Sequence, residues 1–91
     1  MLEKKLQSKI LAHIKATPYC WPVKVTVANR NGTPDILACY RGRFVALEVK
    51  TPSGRPTLLQ EAQLDAIRDA GGVAAVVRSV DDVKTVLEGV L

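Results

Sequence analysis

Apolar residues recur every four positions at the start of the chain. Leu2, Leu6, Ile10 and Ile14 form one stripe, and Lys4, Lys5, Lys9 and Lys15 fall off it. A period near that of the α-helix marks an amphipathic helix, here predicted over residues 2–16. Thr17-Pro18 closes it, because the residue before proline is pushed out of helical geometry. Tyr19 to Pro22 are expected as a loop. Val23 to Ala28, β-branched at alternate positions, reads as a strand, and Asn29 to Pro34 as a turn-rich connection. Asp35–Tyr40 and Arg43–Lys50 read as two strands joined at Arg41-Gly42, followed by a loop, Thr51-Pro52-Ser53-Gly54-Arg55-Pro56.

A second helix is predicted from near Thr57, where Thr57 and Gln60 fit a capping box. It ends at Gly71-Gly72, which suits a left-handed C-cap. Val73–Arg78 is a short apolar run, expected as a buried strand. A last helix covers about residues 81–88, with Asp81 and Asp82 near its positive end. The order is αβββαβα. The strand–helix–strand unit from 43 to 78 should be a right-handed parallel crossover, with the preceding strands added by hairpins. The expected class is α/β, a mixed central sheet flanked by helices.

Ninety-one residues suit one domain, 1–91, and the 47% apolar content argues against disorder. No apolar run approaches the ~18 residues of a membrane span. The early lysines interrupt any signal-peptide core. Cys20 and Cys39 stand apart without a CxxC spacing, as expected of reduced thiols in a cytoplasmic protein. Charge is unevenly spread: residues 1–56 hold ten Lys/Arg and three acids, and residues 57–91 hold three Lys/Arg and six acids. A basic half suits a polyanion such as nucleic acid, and equally a solvated surface.

The three acids of the basic part are Glu3, Asp35 and Glu48. If Arg41-Gly42 is a two-residue hairpin turn, Tyr40 faces Arg43, and the same count sets Asp35 directly opposite Glu48. Opposed residues share a sheet face with Cβ atoms about 4.5–5.5 Å apart. Lys50, two residues beyond Glu48, projects to that face as well. Paired carboxylates among apolar neighbours need a compensating cation, and a hard divalent ion such as Mg²⁺ or Mn²⁺ suits oxygen ligands. The alternative is a structural Glu–Lys pair with a turn-starting Asp after Pro34. Glu3 falls beside the apolar stripe of the first helix, where it could reach such an ion or simply favour the helix dipole.

Gly32-Thr33-Pro34-Asp35, followed after twelve residues by Glu48-Val49-Lys50, resembles the PD-(D/E)xK nuclease motif. The wider stretch resembles the virus-type replication-repair nuclease (VRR-NUC) domain: Glu3 in the first helix, Ser53-Gly54, Gln60, Ala70 to Gly72 and Val76 to Ser79 all match. The resemblance covers nearly the whole chain. It implies a restriction-endonuclease-like core and Mg²⁺- or Mn²⁺-dependent cleavage of DNA, leaving a 5′-phosphate and a 3′-hydroxyl. By the same resemblance Asp35, Glu48 and the carbonyl of Val49 hold metal with Glu3 assisting, Lys50 is the catalytic lysine and Gln60 an accessory residue. Thr57-Leu58-Leu59 stands where the family often has Ser-Pro, and Gln60 fits the capping box as well as the site. Stand-alone members of this branch suggest a homodimer acting on branched DNA, some on four-way junctions.

Arg41, Arg43 and Arg55 are candidates for phosphate contact. Tyr19 and Trp21 could stack on unpaired bases, or belong to a loop packed against the core or a subunit contact. His13, the sole histidine, is expected to be solvated and excludes a His-rich metal site. The C-terminal helix, with Val86, Leu87, Val90 and Leu91, is a candidate interface. A DNA- or partner-binding module without cleavage, and a small assembly protein, are the rival readings.

Overall fold

The computed structural model describes residues 2–90. The elements follow the expected order: α1 (Leu2–Lys15), β1 (Cys20–Lys24), β2 (Ile36–Tyr40), β3 (Arg43–Val49), α2 (Leu58–Asp69), β4 (Val73–Val77) and α3 (Val80–Glu88). The sheet order is β1-β2-β3-β4. β1–β2 and β2–β3 are antiparallel, and β3–β4 is the parallel pair spanned by α2.

Alternation along the strands divides the core in two. Ile36, Ala38, Val45, Leu47, Val49 and Val77 point to one face, where Ile10 and Ile14 of α1 and Val83 and Leu87 of α3 cover them. Ala46 and Ala74 point to the other face, under Leu64 of α2, with Leu37, Ile67 and Val76 beside them. α2 lies chiefly over β4 and β3. The α2 side of β1 and β2 therefore carries no helix.

The β2–β3 turn has both central residues left-handed, Arg41 at φ 50° and Gly42 at φ 81°, which is the twist a tight hairpin requires. Arg41 tolerates this geometry in a local network. Its amide donates to the Tyr19 carbonyl, and its guanidinium lies 4.9 Å from the Tyr19 ring centre and 5.5 Å from that of Tyr40. At the far end of α2, the Gly72 amide donates to the Ile67 carbonyl and the Gly71 amide to that of Arg68, with Gly71 at φ 96°. This is the glycine C-cap the sequence predicts.

Three expectations need correction. The first strand covers Cys20–Lys24 in place of residues 23–28, so Pro22 lies inside it. β1 is an edge strand, and its bonded positions are odd: the Val25 amide donates to the Asp35 carbonyl, and the Arg41 amide to that of Tyr19. The nitrogen of Pro22 thus faces the open edge, where no ladder bond is lost. Second, Leu2 of the apolar stripe is exposed, one turn beyond the sheet's cover. Third, Leu87 and Val90 are buried in the α1/α3 core with Val86 packed against it, so this face of α3 is spent inside the domain; Leu91 lies outside the described residues. No helix among the described residues is long and apolar enough to cross a membrane.

Candidate active site at the open end of the hairpin

From the turn, the β2–β3 ladder runs in unbroken register through Tyr40↔Arg43, Ala38↔Val45 and Ile36↔Leu47. The next step brings Asp35 and Glu48 together. Beyond it the register would set Val49 opposite Pro34, at a position where the two backbones should exchange hydrogen bonds. Proline has no N–H to give the Val49 carbonyl. The Val49 amide turns instead to the Asp35 carboxylate, which accepts it at Oδ2 over 2.8 Å. Pro34 thus withholds the ladder donor that the Val49 carbonyl would otherwise receive beside the two acids.

Among the described residues Glu48 is the only buried polar or charged side chain, 1% exposed. Its Oε2 lies 3.5 Å from Lys50 Nζ, itself only 12% exposed. Its Oε1 is buried without a hydrogen-bond partner. Burial first, then the charge and hydrogen bonding of Asp35, push the Glu48 carboxyl up to about 7 against the opposing pull of Lys50. A buried carboxylate oxygen lacking a donor calls for a proton or a cation. The oxygens of Asp35 and Glu48 and the Val49 carbonyl form a hard donor set that fits a divalent ion such as Mg²⁺ or Mn²⁺.

The site is held from several sides. Gly32, at φ 81°, brings its backbone so close to α2 that an added Cβ would lie 2.9 Å from the Leu59 carbonyl oxygen. The turn leading to Pro34 and Asp35 is thereby seated on the start of α2. There the capping box is complete: Thr57 Oγ1 accepts the Gln60 amide at 3.1 Å, and Gln60 Oε1 accepts the Thr57 amide at 2.9 Å. Gln60 lies one turn before Leu64, on the helix face toward the sheet, and its carbonyl oxygen is committed to the cap.

Arg78, just past β4 in the Val76 to Ser79 stretch, has a definite role in the fold. Its Nη1 donates to the carbonyls of Thr51 at 2.6 Å and Gly54 at 2.5 Å. It therefore pins the loop that leaves Lys50. Only the placement of an arginine at a strand end signals this in the sequence.

Other candidates lie apart from the acid pair. Among the described residues, no three His, Cys, Asp or Glu side chains form a metal-holding group, so Glu3, partly exposed on the first turn of α1, is not clustered with Asp35 and Glu48. Arg41 and Arg43 flank the closed end of the hairpin, roughly 17–20 Å from the acids by strand rise. Arg43 Nη2 also donates to the Gly71 carbonyl. Arg55 is exposed on the loop after Lys50. Cys20 and Cys39 are free thiols at consecutive register positions, so they project to opposite faces.

An αβββαβα domain with an acid pair and a lysine at the open end of its second hairpin belongs to the restriction-endonuclease-like architecture. Two solved structures resemble it over nearly their whole length. A VRR_NUC domain superposes with a TM-score of 0.80 at 25% identity, covering 98% of this chain and 97% of its own. A VRR_NUC domain protein gives a TM-score of 0.74 at 17% identity, covering 97% and 86% respectively. The chain thus has the fold of the VRR_NUC domains, whose name marks a nuclease family. No family model and no curated protein matches the sequence.

Proposed function

We propose that this domain is a Mg²⁺- or Mn²⁺-dependent, structure-specific endodeoxyribonuclease that hydrolyses phosphodiester bonds in DNA replication, repair or recombination. The observation that carries the reading is Glu48: a fully buried carboxylate with one unpartnered oxygen, set against Asp35 and Lys50. Asp35, Glu48 and the Val49 carbonyl would hold the ion; Glu3, on the first turn of α1, is not clustered with them and stays outside this donor set. When bound, the ion supplies positive charge that acidifies a water and stabilises the leaving oxygen. Lys50, held beside Glu48 by their ion pair, orients the attacking water and offsets charge developing on the phosphoryl oxygens. Asp35 is kept in place by the Val49 amide, so the donor set is preorganised before substrate arrives. Gln60 adds its amide N–H₂ at the start of α2, while Arg55, with Arg41 and Arg43, contacts phosphates.

The DNA is branched, four-way junctions included, and the working unit is a homodimer with two active sites. A domain this small has little surface for reading base edges, so shape is the recognisable feature. The test is cleavage of branched and linear DNA with Mg²⁺, Mn²⁺ or a chelator, beside Lys50→Ala and Asp35→Ala. Metal-dependent products lost in both variants support the enzyme. Retained binding without products in the wild type overturns it in favour of a binding module.

A further inference from the structure

Lys5, Lys9 and His13 follow one another at four-residue steps on α1. They form a row along the helix, about 12 Å long at 1.5 Å per residue. The row borders a groove on the α1/α3 side of the domain. One hollow of about 570 Å³ is lined by Leu6, Lys9, His13, Arg78, Ser79 and Asp81. A second, of about 370 Å³, shares Leu6 and Lys9 and continues past Lys5 to Pro52. Among the described residues, no ion pair or side-chain hydrogen bond engages Lys5, Lys9 or His13. The nearby acids are engaged: Asp82 accepts the Arg78 amide at 2.8 Å, and Asp81 lies 4.0 Å from Lys84.

We infer that this groove carries the sugar–phosphate backbone of a second DNA arm, beyond the branch at which the acids act. The inference rests on the branched-DNA nuclease of the proposed function and names the surface that selects the branch. Two observations choose the occupant. Unpaired cations in a row suit a polyanion whose charges repeat, because its released counterions favour binding. Lys5 and Lys9 are about 6 Å apart along the axis, close to the step between successive phosphates of one strand; a lone anion would leave the rest of the row idle. The groove also adjoins the acid pair. Pro52, in its wall, is two residues past Lys50, so their Cα atoms lie within about 8 Å. Arg78, in the wall as well, holds the Thr51 and Gly54 carbonyls of the same loop.

Placement on the sheet sets the shape of the substrate. Val45, Leu47 and Val49 point to α1 and α3, so Glu48 points with Ala46 to the α2 side. Groove and acids therefore lie on opposite faces and meet only at the sheet end, where β3 stops at Val49 and β4 at Val77. A straight duplex seated on the acids runs past that end and misses the groove. A backbone that turns at the end reaches both. Selection of a branch then requires a bend and no reading of bases.

The test is fluorescence anisotropy of a labelled four-way junction and a linear duplex in chelator. The double variant Lys5→Glu/Lys9→Glu is set beside Lys4→Glu/Lys15→Glu, with circular dichroism to check folding. Both pairs change the charge of one helix equally, but Lys4 and Lys15 share another side of α1 and line neither hollow. The groove pair should lose about tenfold or more in junction affinity and far less on the duplex. Its slope of log affinity against log salt should fall by about 2, one for each phosphate contact removed. The control pair should bind both DNAs nearly as the wild type does. Equal losses in the two pairs would assign the attraction to diffuse charge and overturn the inference. Equal losses on junction and duplex, or a groove pair that binds like the wild type, would overturn it too. Should the groove pair unfold, lysine acetylation of the wild type decides by mass spectrometry. Junction DNA should protect Lys5 and Lys9 and leave Lys4 and Lys15 reactive; uniform or absent protection refutes the groove. Because binding is read without metal, failure here leaves the cleavage test untouched, and a domain that cannot cleave leaves this result standing.

Discussion

Asp35 Oδ2 accepts the backbone amide of Val49 at 2.8 Å, across the step of the ladder that Pro34 leaves open. The carboxylate thus stands in for a main-chain acceptor while remaining beside Glu48. Structural and chemical roles meet in one side chain, and substitution can separate them. Asp35→Asn keeps an oxygen for the amide and removes the charge. Asp35→Ala removes both, leaving a buried donor unsatisfied at a cost of about 1–3 kcal/mol. Urea unfolding should place Asn close to wild type and Ala below it, while calorimetric titration with Mn²⁺ should show binding lost in both. Equal stability of the two variants would contradict the assigned hydrogen bond.

Stability should depend on pH through Glu48. Its carboxyl is raised from 4.5 to about 7, so between those values the folded state holds a proton that the unfolded state has released. The resulting stabilisation is complete below pH 4.5 and is lost as pH rises through 7. A shift of that size corresponds to ~3 kcal/mol. In chelator, the melting temperature should therefore fall between pH 5 and pH 8. Mn²⁺ should restore it at pH 8 and do little at pH 5, where a proton competes. Glu48→Gln should abolish both the fall and the rescue; a fall of the same size in Glu48→Gln would assign it to another group.

Gln60 has two candidate duties, and a carboxylate at the same position divides them. Gln60→Glu preserves the oxygen that closes the capping box, so helix stability should hold. It discards the amide donor and adds negative charge near the acids, so cleavage should drop. Gln60→Ala should also lose about 1 kcal/mol of stability. If Glu at this position cleaves like the wild type, Gln60 serves the cap alone.

The two left-handed glycines of the turns should respond unequally to alanine. At Gly42, φ 81°, an added Cβ meets nothing within 4 Å, so only backbone strain of about 1–2 kcal/mol applies. At Gly32, also φ 81°, the methyl would press on the Leu59 carbonyl oxygen at 2.9 Å. Gly32→Ala should cost more than Gly42→Ala in thermal unfolding. It should also weaken Mn²⁺ binding, because the Pro34-Asp35 segment must shift off α2.

Arg78 should matter to a loop far along the chain from it. Arg78→Ala removes two charge-assisted bonds to the Thr51 and Gly54 carbonyls, an expected loss of about 2–3 kcal/mol. Hydrogen exchange at the Gly54 amide, which donates to the Thr51 carbonyl at 3.0 Å, should accelerate well beyond the global change. Uniform acceleration throughout the domain would argue against a local clamp.

Much of this site could be read before the fold was seen, because a two-residue turn at Arg41-Gly42 sets every later pairing by counting. Its weak point was the Arg-Gly pair, which the Tyr19 and Tyr40 rings accommodate. Caps and breaks at Thr57, Gln60 and Gly71-Gly72 were equally legible, being local chemistry. The first strand was misplaced because the valines at 23, 25 and 27 outweigh Pro22 in any local pattern, and edge position, which excuses the proline, is a property of the whole sheet. The apolar face of α3 was mistaken for an interface for the same reason: periodicity shows that a helix has an apolar side and not what lies against it. The bare face around Trp21 and Phe44 exists only because α2 sits over β3 and β4. Glu48's complete burial, and the lone oxygen it produces, depend on three elements closing together.

Pro34 has one more consequence. Ladder ends usually fray and re-pair, so a cleft at such an end opens and closes with time. A ring without an N–H cannot re-pair, and a buried one has little freedom to move. The mouth of this hairpin is therefore propped rather than gated, and on the proposed reading a cation would meet its ligands without waiting for a door to swing.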